Sequence, residues 1–201
     1  MENRPLRLDR EARSIEHALR KAYLGSSFEL EYGWDVTLTD LQDLLLRHRP
    51  HILHLSAHGT SGGRLVLAQD TSSRNLVVSD GEYSEEIPTE AVALGSLFAA
   101  AKGQLRCVIL NTCHSEAQAQ VIAGHVDCAI GMAGNISDAA AIRFSEAFYG
   151  ALGYGQSLKV AYDLGCAQLG VCHPGEELFP RLFALRCDPA KLVLTQKEHS
   201  P

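Results

Sequence analysis

Residues 106–115 read RCVILNTCHS, and the apolar run at 107–110 within them decides the architecture. No polar residue interrupts that run, and Val108 and Ile109 are β-branched, so the segment reads as a strand covered on both faces. Strands covered on both faces belong mainly to parallel sheets, whose neighbours are joined by crossovers, usually helices. Immediately after the run the chain turns polar: Asn111, Thr112, Cys113, His114 and Ser115.

Two further runs have the same character. HILHLSA at 51–57 stops abruptly at His58 and Gly59, and VDCAIGM at 126–132 lies downstream. Helical signals separate them. Leu8, Ala12, Ile15, Leu19 and Ala22 recur every three or four positions and predict a helix over 8–23. Thr39 with Gln42 has the spacing of a capping box, and Pro50 marks an exit, which places a helix at 40–48. Further helices are expected from Thr89 through Ala101, over 115–123, from Asp138 to Leu152 closed by Gly153, and over 156–169. Phe28, Leu30 and Tyr32 alternate with Glu29 and Glu31 as in a strand, while 64–69 and 76–80 suggest a surface hairpin. The expectation is an α/β fold: a three-layer α/β/α sandwich with a mainly parallel sheet.

With 201 residues, 46% of them hydrophobic, one domain spanning 1–190 is expected, followed by a frayed tail at 191–201. The 18 Lys and Arg against 24 Asp and Glu give a net charge of −6, which disfavours nucleic acid and anionic membranes as partners. The opening MENRPLRLDREARS has no signal-peptide core, and no run reaches the roughly 18 apolar residues of a membrane span, so a cytoplasmic location is expected. The six cysteines form no CxxC pair; in a reducing compartment Cys107, Cys128 and Cys166 read as core residues.

Open parallel sheets collect their chemistry just past the carboxyl ends of the strands. His58 and Cys113 both occupy such ends. A cysteine beside a histidine is the minimal apparatus of nucleophilic acyl transfer: the imidazole takes the thiol proton, the thiolate attacks a carbonyl, and the ring then protonates the leaving amine. The N–H groups of Gly59 and Cys113 are candidate oxyanion donors, and a following helix favours a thiolate at Cys113 through its dipole. His114 is expected to be structural or to form a rim. His51 faces away from His54 and His58 in a strand, with no carboxylate or thiol joining them, and GTSGG at 59–63 matches no phosphate-binding pattern, so neither a metal nor another cofactor is expected.

The motifs HILHLSAHGT and CVILNTCHSEAQA, with AIGMAGNISDAAAIRFSEAFYGAL after them and PLRLDREARSIEHAL before, resemble a CHAT domain. These are bacterial caspase-like cysteine peptidases related to separases and metacaspases. The likeness covers roughly residues 5 to 170. It implies a caspase-like fold and a cysteine endopeptidase acting on protein substrates through a His58–Cys113 dyad, with a regulatory domain or partner protein alongside. Family members carry an apolar strand before the segment that is PLRLD here, and this sequence has MENRP there, so either a fragment or another segment in that place is expected.

Metacaspases have an acid two positions before the nucleophile that binds a basic P1 side chain; here that position is Asn111. ISDAA at 136–140 resembles the separase stretch whose aspartate contacts a P1 arginine, which makes Asp138 a candidate floor of the S1 pocket, with Arg favoured over Lys. Asp138 serves equally well as the cap of a helix beginning at Ala139. The segment 70–89, acidic in its second half, is a candidate mobile element beside the cleft. The competing reading is a non-catalytic caspase-like interaction or signalling module, or a gated fragment of a larger effector.

Overall fold

The computed structural model describes residues 8–57, 89–100 and 104–195. The expected hairpin at 64–69 and 76–80, the 70–89 element up to residue 88, the tail from 196 onward, and both His58 and Gly59 lie outside the described residues.

Helix α1 (Leu8–Lys21) carries acids in its first turn and bases in its last, which complements the helix dipole, and it buries Glu11, Ile15, Ala18 and Leu19. Helix α2 (Leu38–His48) opens with a capping box, but two residues earlier than the sequence pattern suggested. Asp40 N–H donates to Thr37 Oγ1 at 3.1 Å, and Thr37 N–H donates to Asp40 Oδ2 at 3.0 Å. An aspartate does here what the usual pattern assigns to Glu or Gln, so a search for the longer acid lands on Thr39 and Gln42 instead. Arg49 closes the helix in the left-handed region, with φ of 45°.

Strand β1 (Ile52–Ser56), helix α3 (Thr89–Ala100), strand β2 (Cys107–Asn111), helix α4 (Glu116–Ile122), strand β3 (Cys128–Met132), helices α5 (Asp138–Gly153) and α6 (Leu158–Cys172), and strand β4 (Pro180–Phe183) follow in order. The sheet order is β1-β2-β3-β4; β1, β2 and β3 are mutually parallel and β4 runs antiparallel to β3. Ile52 is in register with Cys107 and Ser56 with Asn111, so β1 and β2 end side by side.

All of β2 is buried, and its side chains divide strictly by parity. Cys107 and Ile109 enter a core built with Ile15 and Leu19 of α1, Phe144 and Phe148 of α5, and Leu158 and Leu169 of α6. Val108 and Leu110 enter the opposite core with Leu41 and Leu45 of α2, Leu94 and Phe98 of α3, and Ala119 and Ile122 of α4. The result is the expected mixed α/β arrangement: a mainly parallel sheet flanked by helices on both faces, consistent with a caspase-like fold.

Two elements depart from the sequence reading. Phe28, Leu30 and Tyr32 belong to no strand among the described residues. Phe28 is extended, and with Leu30 it packs against the α1 core, whereas Tyr32 stacks on Trp34 in the open. One-sided burial of an extended segment produces the same alternation as a strand without a ladder. Conversely, β4 was not anticipated. It is four residues long and begins at Pro180, which the first position of an edge strand tolerates because the N–H that proline lacks is not needed there for the ladder.

Gly131 of β3 is where the sheet meets the turn after β2. A Cβ there would lie 2.6 Å from the Ser115 carbonyl oxygen and 2.7 Å from the Ala119 Cβ, so the turn approaches closely only because no side chain intervenes. Gly131→Ala is expected to cost about 1–3 kcal/mol of unfolding free energy in a denaturant titration, as overpacking of a filled core does. An unchanged midpoint would show that the turn can withdraw freely.

Candidate active site

The β2–α4 turn is held from several directions. Ser115, fully buried, accepts a hydrogen bond from Met132 N–H at 3.0 Å, and its hydroxyl lies 2.8 Å from the Thr112 carbonyl and 3.0 Å from that of Leu110. His114 sits in the left-handed region with φ of 56°, a conformation that costs a non-glycine residue and marks a tightly determined turn. Its N–H donates to the Gly134 carbonyl at 3.3 Å, and its Nε2 lies 3.0 Å from Asn135 Oδ1. His114 thus pins the turn to the loop after β3, a structural role in keeping with its expected one.

Cys113 stands between these anchors, half-buried against the α1/α5/α6 core, with its thiol directed to the Ile136 carbonyl at 3.7 Å. Burial pushes the Cys113 thiol above its ordinary value of 9.0, and the Asp138 and Glu176 carboxylates push the same way. Helix α4 begins at Glu116, three residues on. A thiol shifted upward in this way needs a neighbouring base to become a nucleophile.

Asp138 is the first residue of α5 and does not cap it. Ser137 does, its Oγ accepting from Ala140 N–H at 3.3 Å. The cap is in turn gripped by Glu176, in a short 3-10 turn (Glu176–Leu178): Ser137 N–H donates to Oε2 at 2.8 Å and its hydroxyl to Oε1 at 3.0 Å. Glu176 carried no sequence signal, because the residues around it have no periodicity and it reaches the site only through the path of β4.

The other missed residue is Glu11. Its carboxylate is buried beneath the ends of β1 and β2, where Oε2 accepts from Ser56 Oγ at 2.7 Å and Oε1 accepts from Ser145 Oγ at 2.7 Å, from the Asn111 amide, and lies 3.1 Å from His54 Nε2. His54 Nδ1 is 3.1 Å from the Tyr149 hydroxyl, so both ring nitrogens are engaged. Burial alone would raise the Glu11 carboxyl, yet attraction to the His54 ring and hydrogen bonds from His54, Ser145 and Ser56 outweigh it and hold it at about 2. The sequence did offer a signal: Glu11 lies one helical turn before Ile15, inside the buried stripe of α1. An acid in such a stripe has to find donors.

Asn111, considered as a substrate contact, is only 6% exposed, and its amide nitrogen also lies 3.3 Å from Ser145 Oγ and 3.4 Å from the Ala141 carbonyl. That nitrogen is committed to the interior and is not presented to a cleft. Of the expected site residues, Asp138 is near enough to Cys113 for its charge to act on the thiol, and Asn111 is buried; His58 and Gly59 fall outside the described residues. Among the described residues no group of three or more His, Cys, Asp or Glu is placed to hold a metal, and no helix is long and apolar enough to cross a membrane.

A doubly covered, mainly parallel sheet whose central strand delivers a cysteine into a constrained turn is the layout of a caspase-like α/β/α protein. The chain belongs to the CHAT domain family, whose model matches residues 4–178. It is similar to a protein of Gillisia limnaea (strain DSM 15749 / LMG 21470 / R-8282) named "probable protease", with 27% identity over 157 residues that cover 77% of this chain. The chain spans about a quarter, 26%, of that relative's length.

The low Glu11 value fixes a pH dependence. Its folded-state value of about 2 lies below the ordinary 4.5, so its stabilisation is complete above 4.5 and is lost as pH falls through about 2. By about 1.4 kcal/mol per unit it amounts to about 3 kcal/mol at neutral pH. Chemical denaturation of wild type and Glu11→Gln is expected to differ by that amount at pH 7 and to converge between pH 4.5 and 2. A gap independent of pH would contradict the charged network.

Proposed function

We propose that this CHAT domain is a cysteine endopeptidase that cleaves protein substrates after a basic residue, arginine above lysine. The observation that carries the reading is the half-buried Cys113 thiol, held at the carboxyl end of β2 in a turn anchored by Ser115 and His114, with the charges of Asp138 and Glu176 acting on it. The family and the name of the relative support peptidase chemistry.

In this reading His58 is the base that the raised thiol requires. It takes the Sγ proton as the sulfur attacks the scissile carbonyl carbon, and the N–H groups of Gly59 and Cys113 receive the oxyanion. Collapse of the tetrahedral species breaks the C–N bond, the imidazolium protonates the departing amine, and water hydrolyses the thioester with His58 again as base.

Specificity rests on charge. The carboxylates that raise the Cys113 thiol make the adjoining space favourable to a cationic side chain. With Ser137 serving as the cap, Asp138 has no capping duty and is the candidate partner for a P1 guanidinium, which matches a carboxylate in two parallel hydrogen bonds. Glu176 supports it by fixing Ser137.

In a P1-varied fluorogenic peptide library, arginine peptides are expected to be cut best. Cys113→Ala should abolish cleavage, and Asp138→Ala should lower kcat/KM for arginine by about tenfold, the worth of one charge-assisted hydrogen bond, while affecting neutral P1 residues less. Equal turnover of acidic and basic P1 peptides would refute the assignment of Asp138. A folded wild type that cleaves nothing would favour the non-catalytic interaction module.

A further inference from the structure

Resting on the peptidase reading, we infer that Glu11 is a positioning residue whose one carboxylate sets the two catalytic strand ends against each other. Ser56 and Asn111 are the last register partners of β1 and β2. Each stands two residues before a proposed dyad member: Ser56 before His58, and Asn111 before Cys113. Glu11 holds both, taking the Ser56 hydroxyl on Oε2 and the Asn111 amide on Oε1.

The choice of residue follows from the donors. Ser56, Asn111, Ser145 and His54 all present polar hydrogens to one buried spot, and an ionised carboxylate, which only accepts and has about four lone-pair sites, is the side chain that satisfies such a set. A glutamine there turns two N–H groups toward donors and leaves buried partners unmade. Glu11 itself is anchored by α1, whose Ile15 and Leu19 sit in the core against β2, β3 and α5. The carboxylate is therefore fixed by packing, and the two strand ends are fixed by the carboxylate. The backbone hydrogen bonds of the β1–β2 ladder align the strands, and the Glu11 bridge adds a side-chain tie at the end where the ladder stops.

This arrangement separates positioning from mere stability. Glu11→Gln and Ile15→Ala both loosen α1, but only the first removes the tie between Ser56 and Asn111. For the peptide substrate cut best by wild type, Glu11→Gln is expected to lower kcat by about tenfold or more with KM within about twofold, since small misplacements of reacting groups act on the chemical step. Ile15→Ala is expected to lower the thermal midpoint and retain kcat. A double variant, Glu11→Gln with Asn111→Asp, returns an acceptor to the paired position and is expected to recover part of the lost kcat. Undiminished kcat in Glu11→Gln, an equal kcat loss in Ile15→Ala, or a double variant no better than Glu11→Gln would overturn the role. A wild type that cleaves no peptide and whose Cys113 takes no active-site label overturns the peptidase reading, and this inference with it.

Discussion

A parallel sheet buried on both faces leaves its polar chemistry only one place to go, the carboxyl ends of its strands. In this chain β2 is buried throughout its length, with Cys107 and Ile109 filling one core and Val108 and Leu110 the other. Its polar residues gather at the carboxyl end, in the last strand residue Asn111 and in Thr112, Cys113, His114 and Ser115 just after it. The partly buried β1 ends beside it, its last residue Ser56 paired with Asn111. The site is thus a consequence of how the sheet is covered.

Such an end costs energy unless its buried polar atoms are paired, and Glu11 does much of the pairing. Its carboxylate collects hydrogen bonds from β1, β2 and α5 while its own helix docks on apolar contacts. A buried charge of this kind is tolerated only with a full complement of donors, and with one it rigidifies its surroundings. Above it lies the Cys113 turn, held by the buried Ser115 hydroxyl and by the strained His114 backbone. Neither support is available to an isolated β2–α4 segment. The turn is shaped by β3, through Gly131 and Met132, and by the loop that follows it, through Gly134 and Asn135.

The sequence revealed what depends on short-range pattern. The apolar runs of β1, β2 and β3 and the spacing within the helices are local properties, and each was legible as such. What depends on distant partners was not. The alternation at Phe28, Leu30 and Tyr32 comes from packing against α1 and not from a strand pairing; the four residues of β4 become a strand only because β3 offers them an edge. The site divides in the same way. Cys113 was visible from its place after a strand, whereas Glu176 acts through a fold-back onto Ser137 and Glu11 through the convergence of three elements. Asp138 was visible, but its freedom from capping became clear only with Ser137 in place.

In the proposed peptidase, Cys113 would differ in kind from the other cysteines as the nucleophile of a site that welcomes a cation. Treatment of the folded protein with an arginyl halomethyl ketone, followed by peptide mapping, addresses this directly. The account predicts modification at Cys113 alone among the six cysteines, suppressed by an arginine peptide and absent in an aspartyl analogue of the reagent. Labelling spread over exposed thiols such as Cys172, or a Cys113 that remains unmodified in the folded protein, would contradict it.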